Sequence, residues 1–390
     1  MVDAGLYIHV PFCRTKCGYC DFYSRVPAEG QTGRYVDAVL TELAGGPAAP
    51  GGLARVRTIF VGGGTPTILP VVELSRLFGA LGELARRDGV SEFTVEANPA
   101  SLDDAKSQVL REAGVNRVSI GVQSFAAGEL RTLGRRHQAE DVAPTVRLVQ
   151  RWGFSHINLD LIFGIPGQTE WSWGESLRRA IDLGPDHIAC YGLTYEPGTP
   201  LDRRWAEGAV DPCGEEAEAR MYECAIDTLT GAGFEHYEIS NFARPGARCE
   251  HNLAYWRNEP YVGLGPAAAS YFDGVRTRNV ADIEQYIRRI SLGQSPVIES
   301  ERLGARARAG ETAMLQLRLT DGIDRRRFER QTGFDALALF ADVIPSHVAG
   351  RRLSVTPTHI RLTRSGLLIA DSVMADFIAV GVERGLTAGP

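Results

Sequence analysis

The sequence predicts an α/β protein: a run of parallel β/α units followed by a small C-terminal α+β domain. Three observations lead there. Six short, nearly unbroken strings of Val, Ile and Leu recur across the first half of the 390-residue chain, as in parallel strands buried on both faces. The stretches between them, such as 31–43, 71–87 and 174–183, carry apolar residues at helical spacing. Each string ends in glycine or polar residues, and in such folds ligands gather at the C-terminal ends of the strands.

The six strings are "LYIHVP" (6–11), "VRTIFVGGG" (56–64), "EFTVEANP" (92–99), "RVSIGVQS" (117–124), "HINLDLIFGIP" (156–166) and "HIACYGLTYE" (187–196). Six β/α units in a row imply a parallel sheet, either an open doubly wound one or an incomplete barrel, over about 1–200. Past about residue 200 the rhythm fades into a Glu- and Ala-rich helix (214–231) and an aromatic, polar segment (234–272), a connecting region of about 201–300. A polar, turn-rich boundary at 291–302 opens the C-terminal domain, about 301–390, which ends in a further helix.

Hydrophobic residues make up 44% and charged residues 23% of the chain, a globular composition. No apolar run approaches the roughly 18 residues of a membrane span. The start, Met1-Val2-Asp3 and then "GLYIHVPF", has no basic stretch ahead of a long apolar one, so no signal peptide is expected and a cytoplasmic location is. A net charge of −6 with mixed signs gives no basic stripe, which argues against nucleic acid as a partner. Seven cysteines, an odd number, make disulfides a poor expectation in a reducing compartment. Cys190, Cys213 and Cys224 are expected to be small buried apolar residues.

The remaining thiols concentrate chemistry. Cys13, Cys17 and Cys20 lie in a C-x3-C-x2-C pattern on the loop after the first strand, where three sulfurs can converge on one metal centre. Structural zinc wants four closed ligands, and only His9 or Asp21 could supply a fourth here. A 4Fe-4S cluster explains the shortfall better, because three thiolates leave one iron open to a non-protein ligand.

With an aromatic residue before the last cysteine (Tyr19) and "GGGTP" at the next strand end, this pattern resembles the radical S-adenosylmethionine (SAM) superfamily. The resemblance implies a partial (β/α)6 barrel, SAM chelating the open iron, and reductive cleavage of SAM to methionine and a 5′-deoxyadenosyl radical. Gly63, Gly64 and Thr65 would then offer backbone N–H groups to SAM, since side chains there would obstruct a ligand. Glu96 would bind ribose hydroxyls, and Gln123, Arg135 and Asp160 would supply further polar groups. Tyr7 would pack or hydrogen-bond near the cluster. Each alone is weak, because a polar residue after a strand is most often a cap or turn; their ordered recurrence carries the weight.

The order of these motifs over most of the chain is similar to a narrower group, the oxygen-independent coproporphyrinogen III dehydrogenase (HemN) and the HemW family of haem chaperones. In the dehydrogenase the cysteine motif continues C-x-C after an N-terminal extension. Here Phe22 stands at that position and the first cysteine is residue 13. The segment "CEHNLAYW" (249–256) carries an H-N-x-x-Y-W core that resembles the haem-binding motif of the HemW family. By that resemblance His251 would ligate haem iron, with Tyr255 and Trp256 against the porphyrin and Cys249 as a neighbouring thiol. The implied function is haem transfer to acceptor proteins, respiratory enzymes or bacterioferritin among them, with no catalytic residues assigned, a possible homodimer, and membrane contact only through partners. The alternatives are oxidative decarboxylation of coproporphyrinogen III and a zinc-stabilised scaffold.

Overall fold

A computed structural model describes residues 1–49 and 51–381. Six parallel strands form its centre: β1 (Val2–Val10), β2 (Ala54–Gly63), β3 (Glu92–Ala97), β4 (Arg117–Gln123), β5 (His156–Phe163) and β6 (His187–Gly192). They lie side by side in sequence order, each followed by at least one helix. The outer face of this sheet packs on the helices through a cluster that includes Leu6, Ile8, Ile59, Val61, Phe78, Phe93, Ile120 and Leu159, all at most 1% exposed. The expectation of strands apolar on both faces holds only for this outer face, whose residues occupy alternate positions of each string.

The inner face is polar and aromatic. Register pairs Tyr7 with Phe60, Glu96 with Ser119 and Gly121 with Asp160, so these residues line one face of the parallel core.

The segment after residue 200 extends the same sheet at both edges. Strands β7 (Glu235–Glu238) and β8 (Asn241–Ala243) run antiparallel beyond β6. On the other side β9 (Tyr261–Leu264) runs parallel to β1, followed outward by β10 (Ala269–Phe272), β11 (Val275–Asn279) and β12 (Val297–Glu301). The sheet therefore has twelve strands among the described residues. The aromatic, polar segment of the sequence is thus strand-bearing, its strands three or four residues long and partly to fully buried.

The C-terminal region has its own core, built around Phe328, Phe340 and Phe377. It joins a three-stranded antiparallel sheet, β13 (Ile323–Asp324), β14 (Leu353–Val355) and β15 (His359–Leu362), to helices that include Ala305–Leu317 and Ala370–Gly381. Gly310 lets those two helices approach closely: a Cβ there would lie 3.0 Å from the Phe377 carbonyl. No described helix is long and apolar enough to cross a membrane.

Candidate functional site

The cysteine loop hangs from the C-terminal end of β1 and is closed at its base. Cys13 N–H donates to the Arg25 carbonyl (3.0 Å) and Arg25 N–H to the Pro11 carbonyl (2.9 Å). Its middle is pinned by Gly18, whose N–H donates to the Leu133 carbonyl (2.9 Å) and whose carbonyl accepts from Leu201 N–H (2.8 Å). Tyr19 packs onto an apolar cluster of Leu133, Ile162, Ile165, Leu193 and Leu201 beneath the loop. All three cysteines are partly exposed as residues. Burial and the neighbouring thiols push Cys20 up to about 11, so it stays protonated until a metal displaces its proton.

A polar chain ties two of the thiols together across three strand ends. Thr65 Oγ1 lies 3.8 Å from Cys13 Sγ and accepts from Asn98 Nδ2 (2.7 Å); Asn98 Oδ1 accepts from Arg135 Nη2 (2.6 Å); Arg135 Nη1 lies 3.6 Å from Cys17 Sγ. Arg135 also donates to the Gly121 carbonyl, and its Nε is buried with no partner. A guanidinium beside sulfurs that must become thiolates is favourable electrostatics. Asn98, which joins Thr65 to Arg135, stands in the same "EANP" run as Glu96, but nothing in that run sets it apart from an ordinary turn residue.

The glycines of "GGGTP" do something other than expected. Gly63 N–H donates to Glu96 Oε2 (3.0 Å), Gly64 N–H to the Val10 carbonyl (2.8 Å) and Thr65 N–H to the Phe12 carbonyl (2.7 Å). These donors are spent within the protein. What the glycines permit is close packing: a Cβ on Gly63, at φ +100°, would stand 2.5 Å from the His9 ring, and one on Gly64 would collide with the Phe12 and Val10 carbonyls. The turn lets the base of the cysteine loop lie directly on β2.

Glu96 and Asp160 face the inner space. Burial, helped by Asp160, raises Glu96 to about 8. Burial likewise raises Asp160 to about 6, although Asn158 Nδ2 (2.7 Å) and Ser119 Oγ (3.1 Å) donate to its carboxylate. Gln123 closes β4 at φ +67°, a strained value for a residue with a side chain, beside a register shift in the β4–β5 pairing.

His9 has no nitrogen free for a metal. Its Nε2 donates to the Tyr23 carbonyl (2.8 Å), which leaves Nδ1 to accept from the Tyr7 hydroxyl (3.0 Å). Tyr7 is thereby held on the inner face beside Phe60. Among the described residues no three His, Cys, Asp or Glu side chains converge as ligands of a single ion. Cys13, Cys17 and Cys20 share one loop at the strand ends, and a cubane takes its thiolates one to an iron, so these three would hold a cluster with one iron left open.

His251 lies elsewhere, at the N-terminal end of the strands, where the segment 247–256 plugs the barrel. Its helix, Glu250–Trp256, has no side-chain cap of its own. Glu92, at the start of β3, caps it from outside by accepting from the backbone N–H of Glu250 (3.0 Å) and His251 (2.9 Å). Glu92 is in turn paired with Arg117 (3.1 Å, side chains 6% and 3% exposed), which also donates to the Ala247 and Arg248 carbonyls. Cys249 is buried with its Sγ 3.3 Å from Glu92 Oε1. Both ring nitrogens of His251 are engaged, Nδ1 with the Thr58 hydroxyl (2.8 Å) and Nε2 with the Tyr255 hydroxyl (2.9 Å), one donating and one accepting. The ring stacks on Phe60 at 5.3 Å, and burial lowers it to about 4. Trp256 lies under the Arg318 guanidinium (4.3 Å), its Nε1 buried without a partner.

Ten of the expected residues thus gather at the mouth or on the inner face near it: Cys13, Cys17, Cys20, Tyr19, Gly63, Gly64, Thr65, Glu96, Arg135 and Asp160. Gln123 ends a strand beside them and Tyr7 lies one layer deeper. His251 is not among them.

Residues 7–180 match the radical SAM superfamily and residues 303–369 the HemN C-terminal domain. The heme chaperone HemW of Bacillus subtilis is 35% identical over 373 residues, covering 95% of this chain and 98% of that protein. The heme chaperone HemW of Escherichia coli is 34% identical over 387 residues, covering 96% and 98%. A solved structure of coproporphyrinogen III oxidase (HemN) from Escherichia coli, a radical SAM enzyme, superposes with a TM-score of 0.82 at 23% identity, over 96% of this chain and 90% of that one. That likeness speaks for the fold, a partial (β/α)6 barrel with a small terminal domain. The superfamily match implies a 4Fe-4S cluster and SAM. On the near full-length identity to its curated members, this chain belongs to the HemW family of haem chaperones within the radical SAM superfamily.

Proposed function

We propose that this protein is a cytoplasmic haem chaperone: it binds haem, carries a 4Fe-4S cluster with SAM, and passes haem to acceptor proteins. The observation that carries this is the likeness to curated haem chaperones along nearly the whole of both chains. Cys13, Cys17 and Cys20 hold the cluster, whose open iron would bind SAM and supply one-electron chemistry. Thr65, Asn98 and Arg135 fix two of the thiols relative to each other. Glu96 takes a ribose hydroxyl, and because it is protonated up to about pH 8 it can donate as well as accept. Asp160 and Gln123 line the same space. Gly63, Gly64 and Thr65 serve SAM through shape, since their own N–H groups are engaged.

His251 is the proposed haem ligand. For iron to reach Nε2 the Tyr255 hydroxyl must let go, so haem binding by His251 includes a local opening of the 250–256 helix. Acceptors of the respiratory or bacterioferritin kind, a homodimer, and division of the chain near residues 200 and 300 belong to the same proposal.

The test is an anaerobic hemin titration of the reconstituted protein beside His251→Ala and Tyr255→Phe, followed by visible absorption. Saturable binding that His251→Ala weakens strongly and Tyr255→Phe tightens supports the ligand assignment. Equal, weak binding by all three, with coproporphyrinogen III decarboxylated under the same conditions, would instead establish the dehydrogenase alternative.

A further inference from the structure

A cleft of about 990 Å³ opens at the N-terminal edge of the sheet, away from the cysteine loop. This volume lies at the upper end of the roughly 300–1,000 Å³ typical of small-molecule sites. Part of its lining is apolar: Leu53, 69% exposed, with Val2, Pro260 and Phe272. Its walls carry four arginines, Arg302, Arg308, Arg327 and Arg330, against two carboxylates, Glu259 and Asp273.

The carboxylates are already engaged. Glu259 pairs with Arg327, and Asp273 lies 3.7 Å from Arg302. Arg308 and Arg330 have no carboxylate within ion-pair distance among the described residues, and Arg308 Nε is buried with no hydrogen-bond partner. The guanidiniums of Arg302 and Arg308 converge on the tip of the β10–β11 hairpin: a Cβ built on Gly274 would be 3.3 Å from one and 3.8 Å from the other. Apolar lining together with uncompensated guanidiniums suits a ligand with a flat apolar body and two carboxylates.

The cleft adjoins the haem motif. Its wall includes Asn258, Glu259 and Pro260, the turn that directly follows the His251 helix. Asn258 N–H donates to the Tyr255 carbonyl and Glu259 N–H to the Ala254 carbonyl (both 2.9 Å), while Gln331 from the C-terminal domain donates to the Arg257 and Asn258 carbonyls.

We infer that this cleft receives haem, with Arg308 and Arg330 binding its propionates; the assignment rests on the chaperone function proposed above. It makes the C-terminal domain a wall of the cargo site.

The test uses the full chain, hemin, and hemin dimethyl ester, whose propionates are masked, with Arg308→Gln/Arg330→Gln and the charge-keeping Arg308→Lys/Arg330→Lys. Both arginines are partly or fully exposed, and unchanged thermal melting checks the fold. The double Gln variant should bind hemin about tenfold or more weakly, the Lys variant should recover most of that loss, and the ester should bind all three proteins alike. Undiminished hemin binding by the Gln variant, or equal losses for hemin and ester, overturns the cleft assignment alone. If the wild type takes up no hemin, the chaperone function falls and the cleft assignment with it. An acidic peptide that binds wild type and not the Gln variant, with hemin unaffected, would reassign the cleft to a protein partner.

Discussion

The two ends of the barrel are built in opposite ways. At the mouth, polar groups are left unfinished: three cysteines partly exposed, Arg135 Nε without a partner, Gln123 strained at φ +67° and two carboxylates raised by burial. At the plugged end the carboxylate and the imidazole are matched, Glu92 against Arg117 and two helix N–H groups and His251 against two hydroxyls, although Arg117 Nη1 and Trp256 Nε1 are buried without a partner. Unfinished groups await a ligand, whereas matched ones hold a fold. Under the proposed function haem would reach the matched end only by opening it, which would separate chemistry at the mouth from cargo at the plug.

The largest effect expected is at the plug. Glu92→Ala strips a buried guanidinium of its partner and a helix of its cap, and should cost about 3–5 kcal/mol in denaturant unfolding; a loss below about 1 kcal/mol would mean the plug is not a structural unit.

The pH response of the same end comes next. His251 is lowered to about 4 by burial, so between its unfolded value and 4 the unfolded chain binds a proton that the folded chain does not. Stability is then lost as pH falls from about 6.5 to 4, by about 3 kcal/mol from this group. His251→Gln should flatten that part of the stability curve relative to wild type; parallel curves would show that His251 ionises freely in the fold.

At the mouth, Gly63→Ala places a methyl against His9 and strains a φ of +100°, for about 1–3 kcal/mol. Iron and sulfide incorporation should drop with it, because the base of the cysteine loop must shift. Normal cluster loading in a folded variant would show that loop position does not depend on this contact.

The smallest effect has the opposite sign. Glu96 is raised to about 8, so its contribution to stability is complete below its unfolded value near 4.5 and is lost as pH climbs to 8. In the SAM-free protein Glu96→Gln should be more stable than wild type at pH 8.5, by at least about 1 kcal/mol. At pH 4.5 the two should match.

The mouth was easier to read from sequence than the plug, for physical reasons. Three cysteines in one loop and a glycine run after a strand announce themselves, since each element there is contiguous. The strands β7 to β12 were not legible, being three to five residues long and mostly without an apolar string, β10 and β11 carrying Tyr, Arg and Asn and β12 two glutamates. Nor was the role of Glu92, which caps a helix some 158 residues away; a tertiary cap leaves no local signature. His251 was legible as a motif and its Tyr255 partner lies one turn on in the same helix, but the Thr58 hydroxyl that engages its other nitrogen comes from β2, some 193 residues away. The N–H groups of residues 63–65 looked free for a ligand because nothing in "GGGTP" reveals that Val10, Phe12 and Glu96 consume them.

The division of labour between the two ends is tested most directly by Cys13→Ala/Cys17→Ala/Cys20→Ala, assayed for iron and sulfide and then titrated with hemin. The variant should come out without a cluster, melt as the unreconstituted wild type does, and still bind hemin within a few-fold of wild type. If hemin binding disappears along with the cluster from a folded variant, haem sits at the mouth, and the plugged end is structural only.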